Sequence, residues 1–284
     1  MKILIAIVLL VATVEAGNID WTKVKPIAEY PRRPLLDPLA NDAQGRITNG
    51  QTAEPKQFPY QAALMLFANG GTFFCGGSLL DSRWVLTAAH CADSINEVDV
   101  YLGAWNRFDS TEEGQQKINV KKDKVFVHEE WDPATTKNDI ALIKLPAEIN
   151  FSEFIQPVKL PKISSTYQSY EGQQGIISGW GKTSSGTGSE TLQFAVVPIM
   201  TNKGCSPRYG GTITESQVCI KTTGGISTCN GDSGGPLVVM EDGSPTLIGA
   251  TSFGIILGCT VGWPGVFTRV SYYRPWINEK MSNN

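Results

Sequence analysis

Apolar residues fall in short stretches separated by glycine-rich or polar turns, beginning near residue 58. In the first half these are Tyr60–Phe67, Phe73–Leu80, Trp84–Cys91, Val98–Gly103, Ile118–His128 and Asp139–Leu145. The second half adds Gly175–Gly181, Leu192–Met200, Gln217–Lys221, Gly235–Met240, Thr246–Gly254 and Gly265–Ser271. Most are short and rich in Val, Ile, Leu and aromatics, the signature of strands bounded by turns. With no βαβ alternation and no internal repeat, the pattern predicts an all-β chain of barrel or sandwich architecture. Residues 272–281 read as one terminal helix, with Arg274-Pro275 near its start.

The first 46 residues break this pattern. Lys2 precedes the apolar run Ile3–Val14, and Val14-Glu15-Ala16 suits cleavage after Ala16. The run is shorter than the ~20 residues a membrane helix needs, so residues 1–16 are expected to be a secretory signal peptide and not a buried first helix. A secreted, extracellular protein that crosses no membrane follows as an expectation. Residues 17–46 carry Pro26, Pro31, Pro34 and Pro38 and no cysteine. Such a stretch cannot bury enough apolar surface to offset its ordering entropy. It reads as a pro-segment or a linker, with a tail that stays attached as the alternative.

Composition narrows the class. At 41% hydrophobic and 18% charged, the chain is neither disordered nor collagen-like. A net charge of −3 without a long basic run argues against nucleic acid as a partner. Six cysteines, all beyond residue 70, imply three disulfides, whose pairing the count alone leaves open. No C-x-x-C pair exists and the only histidines are His90 and His128, so no structural zinc, and no metal or cofactor at all, is expected.

Candidate chemistry starts at Gly231-Asp232-Ser233-Gly234-Gly235-Pro236. A serine between glycines can sit exposed on a tight turn whose N–H groups converge on one point. A nucleophilic serine needs a base, and both histidines precede Ser233, an order that excludes an α/β-hydrolase. His90, in Leu86-Thr87-Ala88-Ala89-His90-Cys91, closes an apolar stretch beside a cysteine. It is either that base or a satisfied core histidine. His128 sits among charges and reads as a surface loop residue. Asp139, in Asn138-Asp139-Ile140-Ala141-Leu142, opens an apolar run, so its carboxylate can be buried to orient His90, or it is simply a strand-end cap.

These three motifs, in this order, resemble the chymotrypsin/trypsin family of serine endopeptidases over about Ile47–Met281. The resemblance implies two six-stranded β-barrels with the site between them and His90, Asp139 and Ser233 as the catalytic triad. It implies an oxyanion hole from the N–H groups of Gly231 and Ser233, and a support for Asp139 from Ser252. Phe253 stands where relatives usually carry tryptophan. By the same resemblance the disulfides are Cys75–Cys91, Cys205–Cys219 and Cys229–Cys259. A trypsin-like protease would activate the zymogen by cutting after Arg46, and the new Ile47 terminus would pair with Asp232. The segment Ile47-Thr48-Asn49-Gly50 departs from the commoner Ile-Val-Gly-Gly but retains the isoleucine.

Specificity is carried over in the same way. Ser227 resembles the base of the primary pocket, where an aspartate would select lysine or arginine, and Gly254 and Gly265 match its walls. An open, uncharged slot implies cleavage after Phe, Tyr, Trp or Leu. The loop Ile255-Ile256-Leu257-Gly258 could reshape it, and some invertebrate relatives of three-disulfide build also cleave collagen. Ala104 stands where some relatives place a calcium-binding carboxylate, so no calcium is expected. Asn150-Phe151-Ser152 is an N-glycosylation acceptor. A monomeric digestive protease acting on protein and peptide substrates, and open to protein protease inhibitors, is the overall expectation. A catalytically silent binding protein on the same fold is the competing one.

Overall fold

A computed structural model describes residue 47 and residues 50–107, 109–183, 188–254 and 258–284. The expected signal peptide, the pro-segment with Arg46, and Ile255–Leu257 lie outside the described residues. The first half of the chain contains β1 (Gln51–Thr52), β2 (Gln61–Ala68), β3 (Gly71–Leu79), β4 (Trp84–Thr87), the one-turn helix α1 (Ala89–Ala92), β5 (Ile95–Leu102), β6 (Gln116–Lys121), β7 (Val125–Val127) and β8 (Ala141–Lys144). The second half contains β9 (Gln174–Gly179), β10 (Gln193–Met200), α2 (Asn202–Cys205), β11 (Gln217–Ile220), β12 (Pro236–Glu241), β13 (Ser244–Phe253), β14 (Gly265–Arg269) and α3 (Val270–Asn283).

The chain is all-β with one C-terminal helix, but its two sheets differ. Strands β10-β11-β14-β13-β12-β9 form a ring closed by the β9–β10 pairing, a six-stranded barrel to whose β10 the short β1 adds. The other sheet runs β6-β5-β2-β3-β4-β8-β7 and stays open among the described residues. This second sheet is a half-barrel, and its two end strands, β6 and β7, are consecutive pieces of one bent stretch of chain. The extra strand arises because the stretch 118–128 splits at a 3₁₀ turn, Lys122–Lys124. On β6 only Val120 is buried, and Lys117 and Lys121 pair with Asp99 and Glu97 on β5.

Strand alternation sorts side chains between cores, because successive residues face opposite sides of a sheet. On β2, Ala62, Leu64 and Leu66 join Val85, Val98, Val100 and Ile143 inside the open sheet, whereas Ala63 faces the other core. On β12, Leu237 and Val239 fill the closed barrel with Ile177, Val197 and Phe267, and Val238 turns outward. That outward core contains Trp84, Leu86, Ile140, Trp180, Val238 and Leu247, and α3 packs on it through Tyr273 and Ile277. The helix extends beyond the expected 272–281 at both ends and keeps Pro275 inside.

The halves meet closely. A Cβ on Gly76 of β3 would lie 2.9 Å from Gly235 Cα, and the buried Ser178 hydroxyl of β9 donates to Gln61 Oε1 of β2 at 2.6 Å. Disulfides join Cys75–Cys91, Cys205–Cys219 and Cys229–Cys259, the pairing the resemblance implied. No helix among the described residues is long and apolar enough to cross a membrane.

Candidate active site

His90 owes its position to the end of a strand. The β4–β8 ladder stops at Thr87–Ala141, and the chain then turns once as α1, so the expected strand 84–91 is four residues shorter. The Cys75–Cys91 bridge ties that turn back to β3. Asp139, two residues before β8, faces it. The His90 N–H donates to Asp139 Oδ1 at 2.9 Å, and His90 Nδ1 lies 2.8 Å from Oδ2. With a carboxylate at Nδ1, the proton belongs there and Nε2 is left as the basic nitrogen.

The Asp139 carboxylate is almost wholly enclosed, whereas 26% of the His90 side chain remains exposed. Burial opposes ionisation of both groups, but the pair's mutual charge and hydrogen bond prevail. His90 is held above its ordinary pKa and Asp139 below its own. Asp139 has further help. The Ser252 hydroxyl donates to Oδ2, and Thr268 Oγ1 donates to the Asp139 carbonyl at 2.6 Å. Asn138, at φ 57°, is fixed by the Tyr273 hydroxyl at 2.9 Å and by its own donation to the Glu130 carbonyl at 2.8 Å.

Ser233 lies on the turn that enters β12. Its carbonyl accepts from Gly76 N–H at 2.7 Å, so the turn is pinned to β3 across the junction. The next residue abuts the segment leading to His90. A Cβ on Gly234, at φ 74°, would lie 2.1 Å from Thr87 Oγ1 and 2.9 Å from Ala88 N, so only glycine fits. Gly231 is likewise left-handed, at φ 98°. The N–H groups of Asp232, Gly234 and Gly235 each find a backbone acceptor, whereas those of Gly231 and Ser233 have none among the described residues. No hydrogen bond joins Ser233 Oγ to His90, a contact that often tightens only with substrate bound.

Asp232 points away from this cluster and is fully buried. Its oxygens accept from Gly181 N–H at 2.8 Å and Cys229 N–H at 2.9 Å. Burial still pushes its pKa up to about 6, against those bonds and the charge of Arg107. Ile47 is also fully buried, inside the closed barrel, at φ 48°.

The remaining expected residues are scattered around this centre. Ser227 is buried. A Cβ on Gly254 would meet open space, but on Gly265 it would lie 3.0 Å from Ile220 Cγ1, so the two glycines leave room in different directions. Phe253 packs edge-on against Tyr209, with centroids 5.4 Å apart. In the loop after Ala104, Glu112 turns inward and accepts from the N–H groups of Trp105 and Asn106 at 2.9 and 2.6 Å. Among the described residues, the one Cys/His group compact enough for a metal is Cys75, His90 and Cys91, and both sulfurs are spent in a disulfide. Asn150 is exposed.

His128 lies in a loop, as expected, but is only partly exposed. It is half-buried, stacked on Trp276 at 5.1 Å and edge-on to Tyr273 at 5.5 Å. Sequence reasoning also missed Thr268, Tyr273 and Asn138 as supports for Asp139. Thr268 and Tyr273 lie on β14 and α3 with no local motif to mark them, whereas Asn138 stands inside the Asp139 motif and only its bonds to Tyr273 and Glu130 were not visible.

A buried carboxylate on a histidine beside a glycine-framed serine, between two β-sheets, defines a serine-hydrolase class of site. The Trypsin family profile matches residues 47–277, and the chain belongs to that family of serine endopeptidases. Serine protease 1 of Drosophila melanogaster is 40% identical over 239 residues, 84% of this chain and 86% of that protein. Brachyurin of Leptuca pugilator is 40% identical over 236 residues, 82% and 98% of the two chains. A solved structure of HL collagenase superposes with a TM-score of 0.76 at 36% identity, covering 84% of this chain and 99% of its own.

Proposed function

We propose that the protein is a secreted zymogen, activated by cleavage after Arg46 and cutting peptide bonds after large apolar residues through His90, Asp139 and Ser233. The observation that carries this reading is the unbroken path Ser252–Asp139–His90 beside the Ser233 turn, with two unpartnered N–H groups on that turn. Ser233 Oγ attacks the scissile carbonyl while His90 Nε2 takes its proton, and the carbonyl π electrons move onto oxygen. Gly231 and Ser233 N–H hold that oxyanion. As the tetrahedral centre collapses, His90 hands the proton to the departing amine, leaving an acyl-Ser233. Water then repeats the sequence, with His90 again as base, and releases the acid. Asp139 keeps the Nδ1–H tautomer and stabilises the imidazolium without becoming protonated.

Activation rests on Asp232 and Ile47. A carboxyl raised to about 6 by burial lacks a full countercharge in the uncut chain. A new Ile47 ammonium would supply it, and the oxyanion turn next to Asp232 would be stabilised as a result. Ile47 at φ 48° is also strained, since β-branched residues rarely enter the left-handed region. An activating trypsin-like protease is the implied partner, and residues 1–16 and 17–46 are the proposed signal peptide and pro-segment. An Arg46→Gln chain should resist trypsin activation and stay silent. Activity appearing without a new Ile47 terminus would refute this switch.

The neutral Ser227 supports the apolar preference, and the enzyme proposed is digestive, monomeric and sensitive to protein inhibitors. A collagen-cleaving enzyme is the second reading, favoured by the similarity to a protein named collagenase.

A further inference from the structure

We propose that Tyr273 of α3 is a positioning residue for the triad, holding Asn138 in the left-handed conformation that presents the Asp139 carboxylate to His90. This rests on the proposed function above and deepens it, by naming what sets the geometry of its central carboxylate.

The Asp139 carboxylate serves His90 twice. Oδ1 accepts the His90 backbone N–H at 2.9 Å and Oδ2 lies 2.8 Å from Nδ1, so a swing of the carboxylate weakens both contacts together. The backbone that aims it is tight. The Ile140 N–H donates to the Asn138 carbonyl at 2.8 Å, closing a three-residue turn with Asp139 at its centre. Asn138 enters this turn at φ 57°, a region that asparagine tolerates better than most L-residues. Its side chain is held at both ends. Oδ1 accepts from the Tyr273 hydroxyl at 2.9 Å, and Nδ2 donates to the Glu130 carbonyl at 2.8 Å.

Tyr273 is in turn fixed by its helix. It is buried, and its ring packs edge-on against His128 at 5.5 Å. One turn on, Trp276 stacks on His128 at 5.1 Å, and its Nε1 donates to Glu129 Oε2 at 2.8 Å. A further turn along, Lys280 pairs with the same Glu129. The helix is thus fastened to segment 128–138 at three successive turns, which gives the hydroxyl a set place relative to Asn138. Ser216 also hydrogen-bonds this hydroxyl. Being buried, Tyr273 acts through Asn138 and not on substrate.

The test uses chain cut to a verified Ile47 terminus and a peptide with an apolar residue before the scissile bond. Tyr273→Phe keeps the ring and removes the hydroxyl alone. Its kcat should fall roughly three- to tenfold, about what one neutral hydrogen bond is worth, with KM little changed. Burial holds the His90 pKa down, and the charge and hydrogen bond of Asp139 outweigh it. A displaced carboxylate gives up part of that gain, so the midpoint of the pH–rate profile should move down toward 6.5. Adding Asn138→Gly to Tyr273→Phe should restore most of the lost kcat, because glycine adopts the left-handed conformation without the hydroxyl. Asn138→Ala alone, which can neither accept from Tyr273 nor ease φ 57°, should show the same loss.

Unchanged kcat and pH midpoint in Tyr273→Phe, with only a lower urea unfolding midpoint, would overturn the proposal and leave Tyr273 as a helix anchor. A loss that Asn138→Gly does not restore overturns it too, since the route does not then run through Asn138. If Tyr273→Phe does not fold, Asn138→Ala decides, and a kcat and midpoint like the parent's overturn the proposal. If the parent chain shows no Ser233-dependent cleavage, the proposed function itself fails, a result distinct from all of these.

Discussion

Raising the pH of the uncut chain from about 4 to about 6 should destabilise it through a single carboxyl group, Asp232. Burial is the dominant cause, and it lifts the group from its ordinary 3.8 to about 6 despite the Cys229 and Gly181 N–H groups and the charge of Arg107. The folded-state value lies above the unfolded one, so between them the folded chain holds a proton the unfolded chain has released. The stabilisation is complete below about 3.8 and is lost as the pH rises through about 6. At about 1.4 kcal/mol per pH unit, that gap corresponds to about 3 kcal/mol. The assay is urea unfolding of uncut Ser233→Ala chain at several pH values across this window, with and without Asp232→Asn. The difference between the two isolates Asp232, because His90 and the depressed carboxylates are common to both. In chain cut at Arg46, the Ile47 ammonium should remove the loss. An equal pH slope with and without Asp232→Asn would refute the reasoning.

Asp139→Asn should lower kcat by about 10⁴, a value carried over from trypsin-type enzymes and not worked from this geometry. In the parent, kcat/KM should climb as His90 loses its proton, with a midpoint above 6.5, and that midpoint should drop in Asp139→Asn. A pH–rate profile checks both. Ser227→Asp should shift cleavage toward peptides with Lys or Arg before the bond, as measured on a mixed panel. An unchanged preference would remove Ser227 from the pocket.

The chemistry was more legible than the architecture. Gly-Asp-Ser-Gly-Gly-Pro, the His90 segment and the Asp139 segment are local, and each marks a residue placed by its immediate neighbours: glycines that permit the Ser233 turn, the end of β4 just before His90, and the start of β8 just after Asp139. Strand positions were legible because alternation is forced by burial on one face, as β2 and β12 illustrate. The break of the stretch 118–128 into two strands was not, since the 3₁₀ turn Lys122–Lys124 that makes it carries no glycine or proline marking it in the sequence. The packing of His128 was not legible because its flanking charges mark a surface, while the rings it packs on, Tyr273 and Trp276, come from a helix about 150 residues away. Thr268 was invisible for the same reason: its bond to the Asp139 carbonyl comes from long-range packing.

The most direct test of the account is hydrolysis of a peptide panel varying the residue before the scissile bond. The chain is cut at Arg46 by trypsin, the trypsin is inhibited, and a Ser233→Ala sample is run in parallel. Fast cleavage after Phe, Tyr or Leu that vanishes in Ser233→Ala is the predicted result. Absence of any Ser233-dependent cleavage, despite a verified Ile47 terminus, would contradict it.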